Sequence, residues 1–80
     1  MPDAYEKALR DIVSRSVYLA RTRAGITQQE MADLMGTHRA TLARIESGRH
    51  GITLANAVRV ADICGVPFTR LYKEIDQIEL

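Results

Sequence analysis

The sequence lacks the features that mark secreted or membrane proteins. It has a single cysteine, Cys64, which cannot form a disulfide within the chain and fits a reducing, cytoplasmic setting. We expect this thiol to be buried and unreactive. No apolar run approaches the roughly 18 residues that a membrane span needs, and no signal-peptide pattern opens the chain. We therefore expect no membrane partner.

Residues that build catalytic or metal sites are also scarce. The two histidines, His38 and His50, stand twelve positions apart with no cysteine or carboxylate at ligand spacing, which argues against a zinc site. The sequence has neither a glycine-rich phosphate cradle nor paired catalytic carboxylates. We expect no enzyme activity, no metal and no cofactor.

The length of 80 residues predicts one small domain, residues 1–80. A chain of this size buries about 60–65% of its unfolded surface, so its core is marginal unless further packing is found. The hydrophobic fraction of 46% is ample for a globular bundle, and no repeat, linker or low-complexity tract divides the chain.

The distribution of charge is more informative than its total of +1. Residues 10–50 carry seven arginines, no lysine and four acidic residues, a net charge of +3. Arginine suits phosphate and guanine better than lysine does, because its planar guanidinium pairs with both in a bidentate way. A solvated surface would also be charged, so the arginines need a structural context before they indicate nucleic acid.

The spacing of apolar residues predicts five helices and no strands. We expect helices over residues 3–24, 28–35, 38–47 and 54–64, and a fifth from Phe68 that continues through Ile75 and Ile78. A glycine follows each of the first four, where a helix commonly ends. The inward faces are expected to include Leu34 on the second helix and Leu54 on the fourth.

Residues 27–47 predict two short helices joined by a glycine turn. Thr27 and Glu30 form a T-x-x-E capping box, and Gly36 ends the first helix. Leu42 and Ile45 point inward from the second helix, and its opposite face presents Arg39, Ala40, Ala43 and Arg44. This is the helix-turn-helix layout, in which the second helix enters the major groove of DNA.

The chain resembles the Cro/phage-repressor-type (XRE-like) helix-turn-helix regulators. The resemblance begins at Val17 with VYLARTRAGITQQEMA, passes through MGTHRATLARIESGR and continues through TLANAVRVADICGVPFTRLY to Tyr72. It implies an all-α fold, a compact five-helix bundle of the lambda-repressor-like DNA-binding type, with a long first helix and a C-terminal helical extension. The helix-turn-helix unit would cover about residues 28–47.

The resemblance also implies which residues read bases. His38, Arg39 and Ala40 occupy the exposed first turn of the recognition helix, and Arg44 lies one and a half turns further on. Arg39 and Arg44 are each able to pair with guanine O6 and N7, and Ala40 is able to offer a methyl to thymine, which favours a half-site containing G·C pairs. The alternative is that both arginines contact phosphates.

A second set is implied to contact phosphate: Gln28, Thr41, Arg49, His50 and Arg21. The helix N-terminus at Gln28 reinforces such a contact through its N–H groups. The hydroxyl of Thr41 reaches either a phosphate or its own helix backbone. For Arg21, an ion pair with Glu46 is as plausible as a DNA contact, and the loop at Arg49 and His50 is otherwise a solvated turn.

Both ends of the chain extend beyond the region of resemblance and are amphipathic. We expect a homodimer interface built from the C-terminal stripe Leu71, Tyr72, Ile75 and Ile78, from the N-terminal stripe Tyr5, Leu9 and Ile12, or from both. A two-fold dimer would match a palindromic operator. The alternative is that the two extensions pack on each other within one subunit.

These observations predict a sequence-specific transcriptional regulator that binds double-stranded DNA as a homodimer. Because 80 residues leave no room for an effector domain, we expect no small-molecule ligand. An alternative is the antitoxin of a toxin–antitoxin pair, with LYKEIDQIEL as the toxin-binding segment. A protein-interaction domain without DNA binding is disfavoured, since it would lack exposed arginines on the recognition helix.

Overall fold

The structure, a computed structural model, describes residues 4–75 and is all-helical over that range. It comprises α1 (Ala4–Arg23), α2 (Gln28–Met35), α3 (Arg39–Glu46), α4 (Leu54–Cys64) and a 3-10 helix (Phe68–Tyr72). The all-α prediction is confirmed, and α2 and α4 have the predicted bounds. α3 is one residue shorter at each end than predicted, because His38 and Ser47 are its caps.

The last element differs from the prediction. It is a 3-10 helix of five residues and not a longer α-helix. The N–H of Arg70 donates to the carbonyl of Pro67 at 3.0 Å, the three-residue spacing that defines this tighter turn. The turn carries Leu71 into the core, where its side chain is fully buried. A turn at Lys73 and Glu74 ends this helix, so the predicted continuation as one helix through Ile75 is not present, and Ile78 lies outside the described residues.

Local side-chain chemistry sets the start and the end of α2. The hydroxyl of Thr27 accepts from the N–H of Glu30 at 3.1 Å, and the carboxylate of Glu30 accepts from the N–H of Thr27 at 3.1 Å, so the predicted capping box is present. Gly36 ends the helix with φ of 71°, a left-handed conformation that favours glycine. The next N–H, of Thr37, bonds back to the carbonyl of Ala32 at 2.9 Å and turns the chain toward α3.

The core draws side chains from all five elements. Its buried members are Val13, Val17, Met31, Met35, Leu42, Ile45, Ala57, Val60, Ala61 and Leu71. Cys64 lies half-buried beside this cluster, and its burial raises the pKa of the thiol, which lowers the thiolate fraction.

Two leucines predicted to point inward are exposed instead. Leu34 is 63% exposed and Leu54 is 64% exposed. Each residue advances an α-helix by about 100°, so Leu34 stands about 60° from the nearest buried residue of α2, Met31, and Leu54 stands about 20° outside Ala61, at the first residue of α4. Both lie beyond the edge of the stripe that faces the core.

Candidate nucleic-acid interface

The outward face of α3 carries the predicted base-reading side chains. Leu42 and Ile45, 0% and 4% exposed, hold the other face of α3 in the core. The exposed residues are His38, Arg39, Ala40 and Arg44, with Thr41 and Ala43 half-buried between the two faces. His38 is the N-cap of α3 and makes no side-chain capping bond. A helix anchored on one side thus presents two guanidinium groups on the other.

The start of α2 lies beside this face and carries the partial positive charge of a helix N-terminus. Gln28 is its first residue. The carboxylate of Glu30 is turned back onto Thr27. Its hydrogen bond with the backbone N–H of Thr27, and to a smaller extent its contact with the Thr27 side chain, lowers the pKa of Glu30. The capping box therefore holds this acid in place at a helix end that is suited to anions.

The buried carboxylate of Glu46, the last residue of α3, accepts three hydrogen bonds. Arg21 donates to it through Nε at 2.7 Å and Nη2 at 3.0 Å, and Gln28 donates through Nε2 at 3.0 Å. Arg21 also donates from Nη1 to the carbonyl of Ile26 at 2.7 Å. The two charged side chains are 9% and 4% exposed, and the bond to Glu46 raises the pKa of Arg21.

These contacts change the expected role of Arg21. Its guanidinium is engaged inside the protein, and the residue is only 8% exposed. The structure therefore supports the ion pair with Glu46 and corrects the prediction that Arg21 contacts phosphate. Arg21 instead fixes Glu46, and with it the last turn of α3, against α1.

Gln28 links the buried pair to the exposed face of α3. Its amide nitrogen donates to Glu46, while its amide oxygen accepts from Nη1 of Arg39 at 3.4 Å. The order of contacts is thus Arg21, Glu46, Gln28, Arg39. Sequence reasoning assigned Gln28 to phosphate and missed this bridge. Gln28 and Glu46 are 18 residues apart, so no local spacing could have signalled it.

The loop after α3 is fastened to the recognition helix. The carbonyl of Arg44 accepts from the N–H groups of Arg49 at 3.0 Å and His50 at 3.2 Å. Gly48 has φ of 78°, and a Cβ there would lie 3.1 Å from a carboxylate oxygen of Asp11, so the loop passes close to α1. The backbone of Arg49 and His50, whose side chains are exposed, is consequently held at the C-terminal end of α3.

The predicted C-terminal dimer stripe is not a free surface. Leu71 is 0% exposed and belongs to the core of its own chain, so its assignment to an interface is wrong. Tyr72 is half-buried, and its ring meets that of Phe68 edge-on with centroids 5.9 Å apart. Burial also raises the pKa of Tyr72. Ile75 is half-buried, and Ile78 lies outside the described range.

Within residues 4–75, no group of three or more histidine, cysteine, aspartate or glutamate side chains is placed to hold a metal ion. No helix in that part of the chain has the length and apolar character needed to cross a membrane.

Known proteins share this fold. A transcription factor from Neisseria, called hypothetical, is 27% identical, with a TM-score of 0.75 over 98% of this chain and 92% of its own. The restriction-modification controller protein C.AhdI from Aeromonas hydrophila is 23% identical, with a TM-score of 0.74, and the match covers 80% of this chain and 97% of C.AhdI. An HTH_3 family transcriptional regulator from Vibrio cholerae is 21% identical, with a TM-score of 0.77. The match covers 90% of this chain but only 40% of the Vibrio cholerae regulator.

A match to a family model identifies the family of this chain. No curated protein matches it. The family model HTH_3, described as helix-turn-helix, matches residues 17–71, which is more than half of the chain and includes all of α2, α3 and α4. The chain belongs to this family of Cro/C1-type helix-turn-helix proteins and is a DNA-binding transcriptional regulator.

Proposed function

We propose that this regulator binds a palindromic operator as a homodimer and reads each half-site through α3. The observation that carries the proposal is the outward face of α3, where Arg39, Ala40 and Arg44 are exposed while Leu42 and Ile45 anchor the helix in the core. An anchored helix with exposed guanidinium groups has the form that major-groove reading requires.

Arg39 and Arg44 are the candidates for guanine recognition. Each has the fork of donors that pairs with O6 and N7 of guanine, and each such pair contributes about 1–3 kcal/mol of discrimination. Their Cα atoms stand five residues apart on α3, about 7.5 Å along the helix axis. That separation corresponds to about two base-pair steps at 3.4 Å each. Ala40 between them is able to contact a thymine methyl, and exposed His38 stands at the same end of the helix.

The phosphate contacts are assigned to the residues on either side of this face. Gln28 stands at the positive end of α2, and Arg49 and His50 stand on the loop that is bonded to the carbonyl of Arg44. Thr41 is half-buried at the edge of α3, where its hydroxyl is able to reach the backbone of DNA. These contacts would fix the register of α3 without reading sequence.

Homodimer formation is part of the proposal because a two-fold protein matches a palindromic site. The two recognition helices would then enter successive major grooves about 34 Å apart. Occupancy of the operator would depend on the concentration of the protein, since dimerisation and DNA binding are linked by mass action.

Selection of bound duplexes from a random DNA pool tests this function. We expect a palindrome with guanines in each half-site, and an affinity that falls steeply as salt increases. Arg39→Ala and Arg44→Ala should each relax the preference at one base pair, by about 1–3 kcal/mol. Arg70→Ala, at an exposed arginine on the 3-10 helix, removes the same charge and should leave the base preference unchanged.

Two results would contradict the proposal. One is the absence of binding to any duplex at modest ionic strength. The other is equal weakening on every sequence by the Arg39 and Arg44 variants, which would make both residues phosphate contacts. The antitoxin alternative gains no support from the structure, because LYKEIDQIEL begins at Leu71, which is buried inside its own chain.

A further inference from the structure

α4 carries an apolar surface that the core of this chain does not use. Leu54 and Val58 are 64% and 47% exposed. They stand four residues apart and therefore lie on the same side of the helix, one turn from each other. The other exposed residues of α4 continue this face: Ala55, Arg59 and Asp62. Leu54 and Val58 are thus two large apolar side chains, one helical turn apart, that the described chain leaves substantially exposed to water.

We infer that this α4 face, formed by Leu54, Ala55, Val58, Arg59 and Asp62, packs against the same face of a second copy of the chain. The inference rests on the proposed function, which requires a two-fold dimer, and it assigns the surface that forms it. The two predicted stripes offer less exposed apolar surface: Leu71 of the C-terminal stripe is buried within the subunit, and Leu9 and Ile12 of the N-terminal stripe are half-buried, with Tyr5 40% exposed.

The charges on the α4 face favour a second copy over a different partner. The face carries one arginine and one aspartate three residues apart, Arg59 and Asp62, and has no net charge. In a two-fold interface the same patch of each subunit meets the other. The Arg59 of one copy then faces a patch that contains Asp62, and the Asp62 of that copy faces a patch that contains Arg59. A strongly acidic or basic partner would leave one of these charges opposite its own sign.

The position of the α4 face connects it to the DNA-reading elements. Leu54 begins α4 only three residues after Gly51, at the end of the loop that carries Arg49 and His50. Further along the face, Nη1 of Arg59 donates to the carbonyl of Met35 at 3.4 Å, at the C-terminal end of α2. A contact on this face would therefore fix the spacing of the two helix-turn-helix units through rigid helices.

The size of the α4 face predicts a weak dimer. An 11-residue helix is about 16 Å long. A standard interface buries about 800 Å² per partner, which would be about 15% of the 5378 Å² surface of the described chain. The outer side of one short helix supplies less than this. We expect a dimer that dissociates on dilution and is strengthened by a palindromic duplex.

Sedimentation equilibrium of the wild-type protein, Leu54→Glu and Val58→Glu tests the assignment. Each substitution should raise the dimer dissociation constant at least ~100-fold, the equivalent of about 2.8 kcal/mol. Leu54→Glu places an acid in the first turn of α4, where the helix dipole favours it, so the fold should persist. Leu34→Glu is the matched control, because Leu34 is 63% exposed on α2 and should leave the dissociation constant unchanged. Circular dichroism confirms that each variant is folded.

The outcomes separate this inference from the proposed function. Selective loss of the dimer in the Leu54 and Val58 variants supports the inference, whether or not any protein binds DNA. Unchanged dimerisation of those folded variants overturns it, as does a wild-type protein that stays monomeric at every concentration, or equal loss in Leu34→Glu. Failure of the DNA-binding part of the proposed function appears in a different measurement, as absence of binding by every protein, wild type included, to a single half-site at low salt.

Discussion

Replacing Glu46 with alanine should destabilise the protein by about 3–5 kcal/mol, the cost of leaving one charge of a buried pair without its partner. In the folded chain the carboxylate of Glu46 accepts two bonds from Arg21, at 2.7 and 3.0 Å, and one from Gln28 at 3.0 Å. After the substitution, the guanidinium of Arg21 keeps only the carbonyl of Ile26 among these acceptors. It remains a buried positive charge that water reaches poorly.

This loss is large compared with the stability of so small a domain. At about 0.05–0.15 kcal/mol per residue, a chain of 80 residues has a free energy of unfolding of about 4–12 kcal/mol. Glu46→Ala is therefore expected to remove from about a quarter of that free energy to all of it, and at the lower end of the stability range the variant would not stay folded. Urea denaturation followed by circular dichroism, with the same slope fitted to both proteins, measures the difference.

Two control variants show that burial causes this loss. The pair Lys7–Asp11 has a similar distance, 3.1 Å, but its side chains are 74% and 53% exposed, so Lys7→Ala should cost under ~1 kcal/mol. Replacing both partners of the buried pair, Arg21→Met with Glu46→Leu, should recover most of the stability, because no unpaired charge remains. A cost for Glu46→Ala as small as that of Lys7→Ala would refute the claim that the pair is desolvated.

Two further predictions concern the ends of α2. Gly36→Ala should destabilise the protein by about 1–2 kcal/mol, because φ there is 71° and an L side chain disfavours it. Gly51→Ala, where φ is not in that region and the nearest atom is 3.8 Å from the added Cβ, should cost less in the same urea titration. Glu30 has its pKa lowered by Thr27 from the ordinary 4.5. Its contribution to stability is therefore complete above pH 4.5 and is lost as the pH falls through the lower, folded value. Glu30→Gln should remove this component from the acid side of the stability profile, and an unchanged profile would contradict the capping-box assignment.

The elements that short-range chemistry determines could be predicted from the sequence. Thr27 and Glu30 are three positions apart, and their hydrogen bonds close within one helical turn, so the T-x-x-E pattern located the start of α2. Gly36 located its end for a similar reason, since the left-handed conformation is a property of one residue. The bounds of α2 follow from these two signals alone.

Features that depend on packing were predicted less well. Apolar periodicity gave the direction of each inward face but not its width, so Leu34 and Leu54 were placed in the core although both are mostly exposed. Leu71 was placed on a dimer surface because the sequence could not show that the 3-10 turn directs it into the core. The bridge from Glu46 through Gln28 depends on how α2 and α3 cross, which no spacing within either helix reveals.

The buried ion pair is better explained by the position in which it holds the side chain of Gln28 than by the stability that it adds to the fold. A well-packed apolar pair of similar volume is often as stable as a buried salt bridge, so stability alone does not account for Arg21 and Glu46. An apolar pair would, however, leave the amide nitrogen of Gln28 without its acceptor, and the amide oxygen that meets Arg39 would no longer be held in place. The doubly substituted protein should thus fold almost as well as the wild type and yet discriminate less at the base pair that Arg39 is proposed to read. On this proposal, the buried pair acts through Gln28 on the orientation of one exposed arginine, Arg39.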